Sequence, residues 1–421
     1  MIIEGKLSNG VTTIFEHLPY VQSAAIGIWV KAGAVDERQP STGGTADGNA
    51  EKINGGISHY IEHMMFKGTR NRSAKQIAED IDKIGGSINA FTGREATCYY
   101  VKTLTENLQG SVDVLADMFN ASLFDPIEME KEKNVIIEEM KMIEDSPEDF
   151  GQDLIGETVF NGASLGHSVI GTRESVSDVK RQDILDYMSE RYTAENLLIS
   201  VAGNFDEKGL PEMLERGFGR IAPGGKPRKS ILAPHAPTSV RKTKDIEQTH
   251  LFFGCRGIRQ ESDDYYTFLL YNSILGGGMS SRLFQNVREE KGLAYSVYSM
   301  NSSFVDDGEF VIYAGVGNEN EPAATEAIRF EVEQLAQEGA DEDELEKVKA
   351  QNKGHFIFGQ ESISSRMFRM GRNRLLLGRV LSDAEVTAGI DKVTCADIVR
   401  IAAAYQDMAA YSSVIICGEQ R

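Results

Sequence analysis

The most informative segment of the sequence is Gly56-Ile57-Ser58-His59-Tyr60-Ile61-Glu62-His63-Met64-Met65-Phe66. Read as a helix, it places His59 and His63 four residues apart on one face, where two imidazoles can reach one metal ion. Glu62 lies next to that face, and a carboxylate beside a metal-activated water is a natural general base for hydrolysis. The pattern is H-x-x-E-H, the reverse of the commoner H-E-x-x-H zinc helix.

The competing interpretation of this stretch is a solvated helix that carries two histidines by chance. Its apolar residues argue against that interpretation, because they predict a buried helix: Ile57, Ile61, Met64 and Met65. Buried histidine and glutamate side chains have to be paired or coordinated. The chain has seven histidines, so the pair does not follow from histidine abundance.

Composition limits the possible partners and setting. The 421 residues carry a formal charge of −20, which argues against nucleic acid or an anionic membrane surface as the main partner. The four cysteines are scattered without C-x-x-C spacing, which predicts reduced thiols, a cytoplasmic setting and no cysteine metal site. We expect no secretory signal near the first residues and no membrane span, because no apolar run is long enough.

The two halves of the chain resemble each other. Glu128-Met129-Glu130-Lys131 matches Glu344-Leu345-Glu346-Lys347 at an offset of 216, and Val201-Ala202-Gly203 matches Ile416-Cys417-Gly418 at an offset of 215. Gly33 pairs with Gly257 at an offset of 224, so the first half has extra residues, which we assign to the glycine- and serine-rich tract at 39–50. These matches predict a duplicated protein: a first half at 1–219, a proline- and glycine-rich linker at 220–239, and a second half at 240–421.

The duplication is uneven at the H-x-x-E-H stretch. At the offset of 216, its counterpart falls in Asn272 to Met279, which contains no histidine and no carboxylate. We therefore expect the metal site in the first half alone, with the second half in a supporting role.

A catalytic zinc usually has three protein ligands, so the two histidines need a third partner. A long acidic helix predicted at 126–145 offers Glu132, Glu138 and Glu139. Glu132 and Glu139 are seven residues apart on one face, and Glu138 points about 100° away from Glu139. Helical periodicity does not choose among the three, and a solvated acidic helix is the alternative interpretation.

The run His59-Tyr60-Ile61-Glu62-His63-Met64-Met65-Phe66-Lys67-Gly68-Thr69 resembles the zinc site of the pitrilysin family, which includes insulin-degrading enzyme and the mitochondrial processing peptidase. Asn89-Ala90-Phe91-Thr92 and Val135-Ile136-Ile137-Glu138-Glu139-Met140 also resemble the patterns of that family at matching places. The resemblance covers essentially the whole chain. It is strongest to the short bacterial members that are similar to the β subunit of the processing peptidase.

The resemblance implies a fold and a set of site residues. Each half is expected to be an α+β domain, a mostly antiparallel sheet with helices on one face, and the two halves to close like a clamshell around a chamber. One zinc ion per chain is expected on His59, His63 and Glu139, with Glu62 as the base and Glu132 as the acid next to the ligands.

The resemblance also implies how a substrate is held. Peptides bind in this family as an added strand at a sheet edge, and Asn89, Ala90, Phe91 and Thr92 form the matching edge here. Arg288 and Tyr295 match an arginine and a tyrosine that hold the substrate backbone and stabilise the tetrahedral intermediate. A chain with two such halves has to form the chamber by itself or as a homodimer.

The sequence therefore predicts a zinc endopeptidase that hydrolyses short or unfolded peptides. Two alternatives stay open at this point. One is a maturation protease that acts on a single partner protein, and the other is a non-catalytic, peptide-binding subunit of the same fold. The intact set of zinc residues disfavours the second alternative.

Overall fold

The computed structural model describes residues 2–37 and 55–418, so the tract at 39–50 lies outside the described residues. The described chain forms two compact units. The first unit takes its residues from 1–140, 167–230 and 358–380, and the second from 141–166, 231–357 and 381–421. Each unit thus contains a segment from the other half of the sequence. The closure of the two halves into a clamshell stays a prediction.

The first unit is built on a sheet whose order is β1-β2-β6-β3-β5-β4. Neighbouring strands are antiparallel except β2 and β6, which are parallel. In the described part of the chain, β4 pairs with β5 alone and is an edge strand. The strands are β1 (Ile2–Lys6), β2 (Thr12–His17), β3 (Ser23–Val30), β4 (Ser87–Thr92), β5 (Thr97–Leu104) and β6 (Leu197–Gly203).

The second unit repeats this topology. The order of its strands is β7-β11-β8-β10-β9. This is the order β2-β6-β3-β5-β4 of the first sheet, with each strand replaced by its counterpart and with no counterpart of β1. The parallel pair, β2 and β6 in the first sheet, is β7 and β11 in the second. The strands are β7 (Ser239–Lys244), β8 (Gln248–Arg256), β9 (Ala294–Ser303), β10 (Gly308–Gly317) and β11 (Ser412–Gly418).

The register of the two sheets is also repeated. Val30 pairs with Leu197 in the first sheet, and Gly254 pairs with Ser412 in the second. Gly254 follows Val30 by 224 residues, and Ser412 follows Leu197 by 215, which are the offsets read from the sequence. The predicted fold class, a duplicated α+β protein with mostly antiparallel sheets, is confirmed.

Helices connect and cover the strands. Those that lie in or begin in the first unit are α1 (Ile57–Met65), α2 (Ala74–Lys83), α3 (Leu108–Ala121), α4 (Pro126–Asp145), α6 (Arg173–Asp178), α7 (Arg181–Arg191), α8 (Gly209–Phe218) and α12 (Ile363–Leu377). Those that lie in or begin in the second unit are α5 (Pro147–Val159), α9 (Tyr265–Gly276), α10 (Glu321–Glu338), α11 (Glu342–Gly359), α13 (Asp383–Asp391) and α14 (Cys395–Tyr405). Within the described residues, no helix combines the length and the apolar character needed to cross a bilayer.

The first sheet carries helices on both faces. Successive residues of a strand point to opposite faces, and in β5 the ring of Tyr99 contacts Phe119 of α3 while the ring of Tyr100 contacts Phe368 of α12. The sequence predicted helices on one face of the sheet. The face covered by α3 agrees with that prediction, and α3 comes from the same half of the sequence as the sheet. The opposite face is covered by α12 from the second half, because the sheet has two apolar faces to bury.

The contact of α12 with β3 is close and specific. Trp29 is 1% exposed, and its Nε1 donates a hydrogen bond of 2.9 Å to Ser200 Oγ. Gly371 of α12 lies directly against the Trp29 indole, where a Cβ atom would overlap the ring nitrogen. A Cβ atom on Gly27 of β3 would also overlap the sulfur of Met367, at the flexible end of that side chain. Glycine on each side lets the helix and the strand approach closely.

We expect Gly371→Ala to destabilise the protein by about 1–3 kcal/mol, the usual cost of overpacking a close-packed contact. Urea unfolding followed by tryptophan fluorescence measures this change directly, because Trp29 is the one tryptophan in the chain. The matched control is Gly359→Ala at the end of α11, where a Cβ atom meets nothing within 4 Å. Equal unfolding midpoints for Gly371→Ala and wild type would contradict the described packing of α12.

Candidate metal centre

Helix α1 begins at a buried cap that the sequence did not reveal. Gly56 has a φ of 83°, a left-handed conformation that favours glycine. The carboxylate of Glu37 accepts hydrogen bonds from Gly56 N at 2.6 Å and Ser58 N at 2.9 Å, and so satisfies backbone donors at the helix start. Burial raises the pKa of Glu37 to about 7, although these hydrogen bonds act in the opposite direction.

The orientation of α1 is fixed by its apolar residues and by α4. Ile57, Tyr60, Ile61, Met64 and Met65 are at most 1% exposed. The hydroxyl of Tyr60 donates a 2.6 Å hydrogen bond to the backbone oxygen of Met129 in α4. With these residues in the core, the rings of His59 and His63 lie side by side with centroids 4.6 Å apart.

The two histidines converge with Glu139 of α4. One potential ligand atom from each of the three residues lies within 4.8 Å of the others. Glu139 Oε2 is 3.7 Å from His59 Nε2 and 3.6 Å from His63 Nε2. Glu138, the preceding residue on α4, is not part of this group. Two imidazole nitrogens and one carboxylate oxygen are a donor set that suits a catalytic zinc site.

Electrostatics favour the metal-binding form of two of the three donors, His59 and Glu139. Burial and the charge of His63 lower the pKa of His59 to about 4, although Glu139 acts in the opposite direction. The hydrogen bond from His63 lowers the pKa of the Glu139 carboxyl against the effect of its burial. His59 is therefore neutral and Glu139 ionised near neutral pH, the forms in which these side chains bind metal ions.

Glu132 lies behind His63 and outside the donor group. Its Oε2 is 3.1 Å from His63 Nδ1, and its Oε1 is 2.6 Å from the ammonium of Lys67. Burial lowers the pKa of His63, but its hydrogen bonds with Glu139 and Glu132 outweigh burial and raise it. The sequence-based prediction included Glu132 as an acid next to the ligands. It did not include Lys67, which follows the last turn of α1.

Glu62 is held by the edge strand. Its Oε2 accepts a 2.5 Å hydrogen bond from Thr92 Oγ1, and Thr92 is the last residue of β4. Burial raises the pKa of the Glu62 carboxyl, although the Thr92 hydrogen bond acts in the opposite direction. Glu62, the predicted base, and Thr92, a predicted edge-strand residue, are thus in direct contact.

The other predicted edge residues differ in their surroundings. The ring of Phe91 packs against Trp29, Tyr100 and Phe368, while Asn89 is exposed and its Oδ1 accepts a hydrogen bond from Ala90 N at 2.8 Å. Their backbone lies on the edge strand, as expected. Their role in binding a substrate stays a prediction.

Arg288 and Tyr295 lie in the second unit. Arg288 belongs to a π-helical turn, Phe284–Glu290, and its Cζ is 4.6 Å from the Phe284 ring and 5.8 Å from the Tyr295 ring. The Tyr295 side chain is 74% exposed. The two residues are neighbours, and Arg288 Nε also lies 3.7 Å from Glu289 Oε1. Their role in catalysis stays a prediction.

The counterpart of α1 in the second unit differs from the predicted stretch. The helix that follows β8 is α9, Tyr265–Gly276, which begins seven residues before Asn272. Ile57 and Tyr265, the first residues of α1 and α9, are 208 residues apart, so the offset of 216 found at α4 does not apply to this helix. The conclusion is unchanged, since α9 also contains no histidine and no carboxylate.

Comparison with known proteins supports a single family. Residues 12–173 match the model of the insulinase family, peptidase family M16, and residues 178–352 match that of the peptidase M16 inactive domain. A Bacillus subtilis protein named an uncharacterized zinc protease is 41% identical over 379 residues, 90% of this chain and 89% of its own length. A similarly named Streptomyces coelicolor protein is 35% identical over 404 residues, 94% of this chain and 85% of its own length.

Solved structures agree in fold. A structure described as a peptidase M16 inactive domain from Pseudomonas fluorescens has a TM-score of 0.88 at 17% identity, covering 100% of this chain and 98% of that one. A protease from Helicobacter pylori has a TM-score of 0.86 at 21% identity, covering 99% of both chains. The solved structures thus share the fold, and the family models together with the relatives that span nearly the full chain show that the chain belongs to the insulinase family of peptidases, family M16.

Proposed function

We propose that the chain is a zinc endopeptidase whose metal centre is formed by His59, His63 and Glu139, with one zinc ion per chain. The observation that carries this proposal is the convergence of three suitable ligand atoms within 4.8 Å of one another, with Glu62 on the same helix. The names of the Bacillus and Streptomyces relatives support the choice of zinc.

A zinc ion in this position would supply Lewis-acid activation of a water molecule and of the peptide carbonyl. Glu62 accepts a proton from the attacking water and passes it to the leaving amine. Thr92 holds Oε2 of Glu62 at 2.5 Å, so the other carboxylate oxygen stays free for that transfer. Glu132 accepts the Nδ1 hydrogen of His63, so Nε2 of His63 is the nitrogen that faces His59 and Glu139.

The substrate in this proposal is an extended peptide that adds to the free edge of β4. An unpaired strand edge offers backbone donors and acceptors that bind any sequence. Thr92, at the end of that edge, contacts Glu62, so a peptide bound along Asn89 to Thr92 runs towards the general base. The proposed substrates are therefore short or unfolded polypeptides.

The second half is assigned a supporting role. We propose that Arg288 and Tyr295 hold the substrate backbone and stabilise the negative charge of the tetrahedral intermediate. The division into a catalytic half at 1–219, a linker at 220–239 and a second half at 240–421 is part of the same proposal. All four cysteines are free thiols, which agrees with the proposed cytoplasmic setting.

The test is a digest of a peptide library with native protein, chelator-treated protein and chelator-treated protein resupplied with zinc. We expect cleavage of many peptides, loss of cleavage on chelation and recovery with zinc. Cleavage at a single sequence would favour the maturation protease instead. Undiminished cleavage by protein shown to be free of metal would contradict the proposed mechanism.

A further inference from the structure

Lys67 is a charged residue directly beyond α1 with a nearly buried partner. Its backbone N–H donates to Met64 O at 3.1 Å, which continues the last turn of the helix. Its ammonium lies 2.6 Å from Glu132 Oε1. The side chains of Lys67 and Glu132 are 31% and 6% exposed. The pair is thus far less exposed than an ordinary surface ion pair.

The two oxygens of Glu132 have different partners. The Lys67 ammonium pairs with Oε1, and His63 Nδ1 lies 3.1 Å from Oε2. A carboxylate with little access to water needs a partner on each oxygen, because an unsatisfied buried acceptor is costly. With the Lys67 ammonium on Oε1, Oε2 is the oxygen that faces the imidazole.

We infer that Lys67 is a positioning residue for the metal centre. It holds Glu132 so that Oε2 accepts the Nδ1 hydrogen of His63, and Nε2 of His63 then faces His59 and Glu139. Groups behind a metal ligand fix its tautomer and orientation, and their loss typically weakens metal binding about 10- to 100-fold. The inference rests on the proposed metal role of His63.

Lys131 of α4 provides a matched control. Lys131 Nζ is 2.6 Å from Glu128 Oε1, the same distance as in the Lys67 pair. The Lys131 side chain is 62% exposed and that of Glu128 is 33% exposed. An exposed pair of this kind contributes little, and neither residue is in the donor group. Removing Lys131 changes the net charge of the protein as much as removing Lys67.

The experiment compares Lys67→Met, Lys67→Arg and Lys131→Met in the full chain. Zinc affinity is measured by competition with a chromophoric zinc chelator, and the thermal midpoint of the metal-free protein reports on folding. We expect Lys67→Met to bind zinc about 10- to 100-fold more weakly. Lys67→Arg, which keeps the charge, and Lys131→Met are expected to bind zinc like wild type.

Two results would overturn the inference: unchanged zinc affinity in Lys67→Met, or equal losses in Lys67→Met and Lys131→Met. If Lys67→Met does not fold without metal, Lys67→Gln is measured in its place and judged by the same results. A wild-type protein that binds no zinc would instead overturn the proposed function, so the two failures are distinguishable.

Discussion

Glu62→Gln is expected to reduce peptide hydrolysis by about 10²- to 10⁴-fold, the usual contribution of a general base. The amide has almost the same size as the carboxylate, and its oxygen still accepts the hydrogen bond from Thr92. The variant therefore keeps the local structure and loses the proton acceptor. Glu62 is outside the group of His59, His63 and Glu139, so zinc content should not change.

Hydrolysis of one fluorogenic peptide and metal content by atomic emission test this prediction together. The matched control is Glu79→Gln on α2, where an exposed carboxylate pairs with Lys75 at 3.3 Å. That variant should hydrolyse the peptide at the wild-type rate. Loss of zinc from Glu62→Gln would make Glu62 a ligand, and full activity would remove it from the mechanism.

Glu139→Gln is expected to weaken zinc binding by at least about 100-fold, because loss of a direct ligand costs no less than loss of a group behind one. Hydrolysis at limiting zinc should fall with zinc occupancy. Glu138→Gln has the same change in charge on the same helix, but its carboxylate is not part of the donor group. It should retain zinc and activity.

The pair of variants discriminates between the two adjacent glutamates. Zinc affinity and peptide hydrolysis are measured for both, with the thermal midpoint of each metal-free protein as the folding control. If Glu138→Gln lost zinc and Glu139→Gln kept it, the assignment of the third ligand would be wrong by one residue.

The histidine pair was predictable because all its parts lie within one turn of one helix. The third residue was harder to predict, since periodicity left Glu132, Glu138 and Glu139 open and the family resemblance favoured Glu139. The structure suggests a physical signal for the choice. Glu132 and Ile136 are on the buried face of α4, and Glu139 lies about 60° from Ile136 while Glu138 lies about 160° away.

Contacts between distant segments were not predictable from the sequence. Lys67 and Glu132 are separated by more than sixty residues, and Thr92 reaches Glu62 across the space between a strand and a helix. A lysine in a polar stretch and a threonine at a strand end have ordinary surface roles by default. Tertiary packing alone gives them these partners.

The duplication was predictable, whereas the composition of the compact units was not. The matching offsets show that two segments share an ancestor, but they do not say which sheet a helix covers. The residues of α12 belong to the second half of the sequence, yet Phe368 and Gly371 pack against Trp29 of the first sheet. An apolar helix face predicts burial and does not identify the partner.

The proposed function depends on His59, His63 and Glu139 binding one zinc ion together. The most direct test is anomalous X-ray diffraction at the zinc absorption edge from crystals of the protein loaded with one equivalent of zinc. We expect a single strong peak about 2.0–2.2 Å from His59 Nε2, His63 Nε2 and a carboxylate oxygen of Glu139. A zinc peak elsewhere, or one at this place bound by Glu138 instead of Glu139, would rule out the proposed ligands.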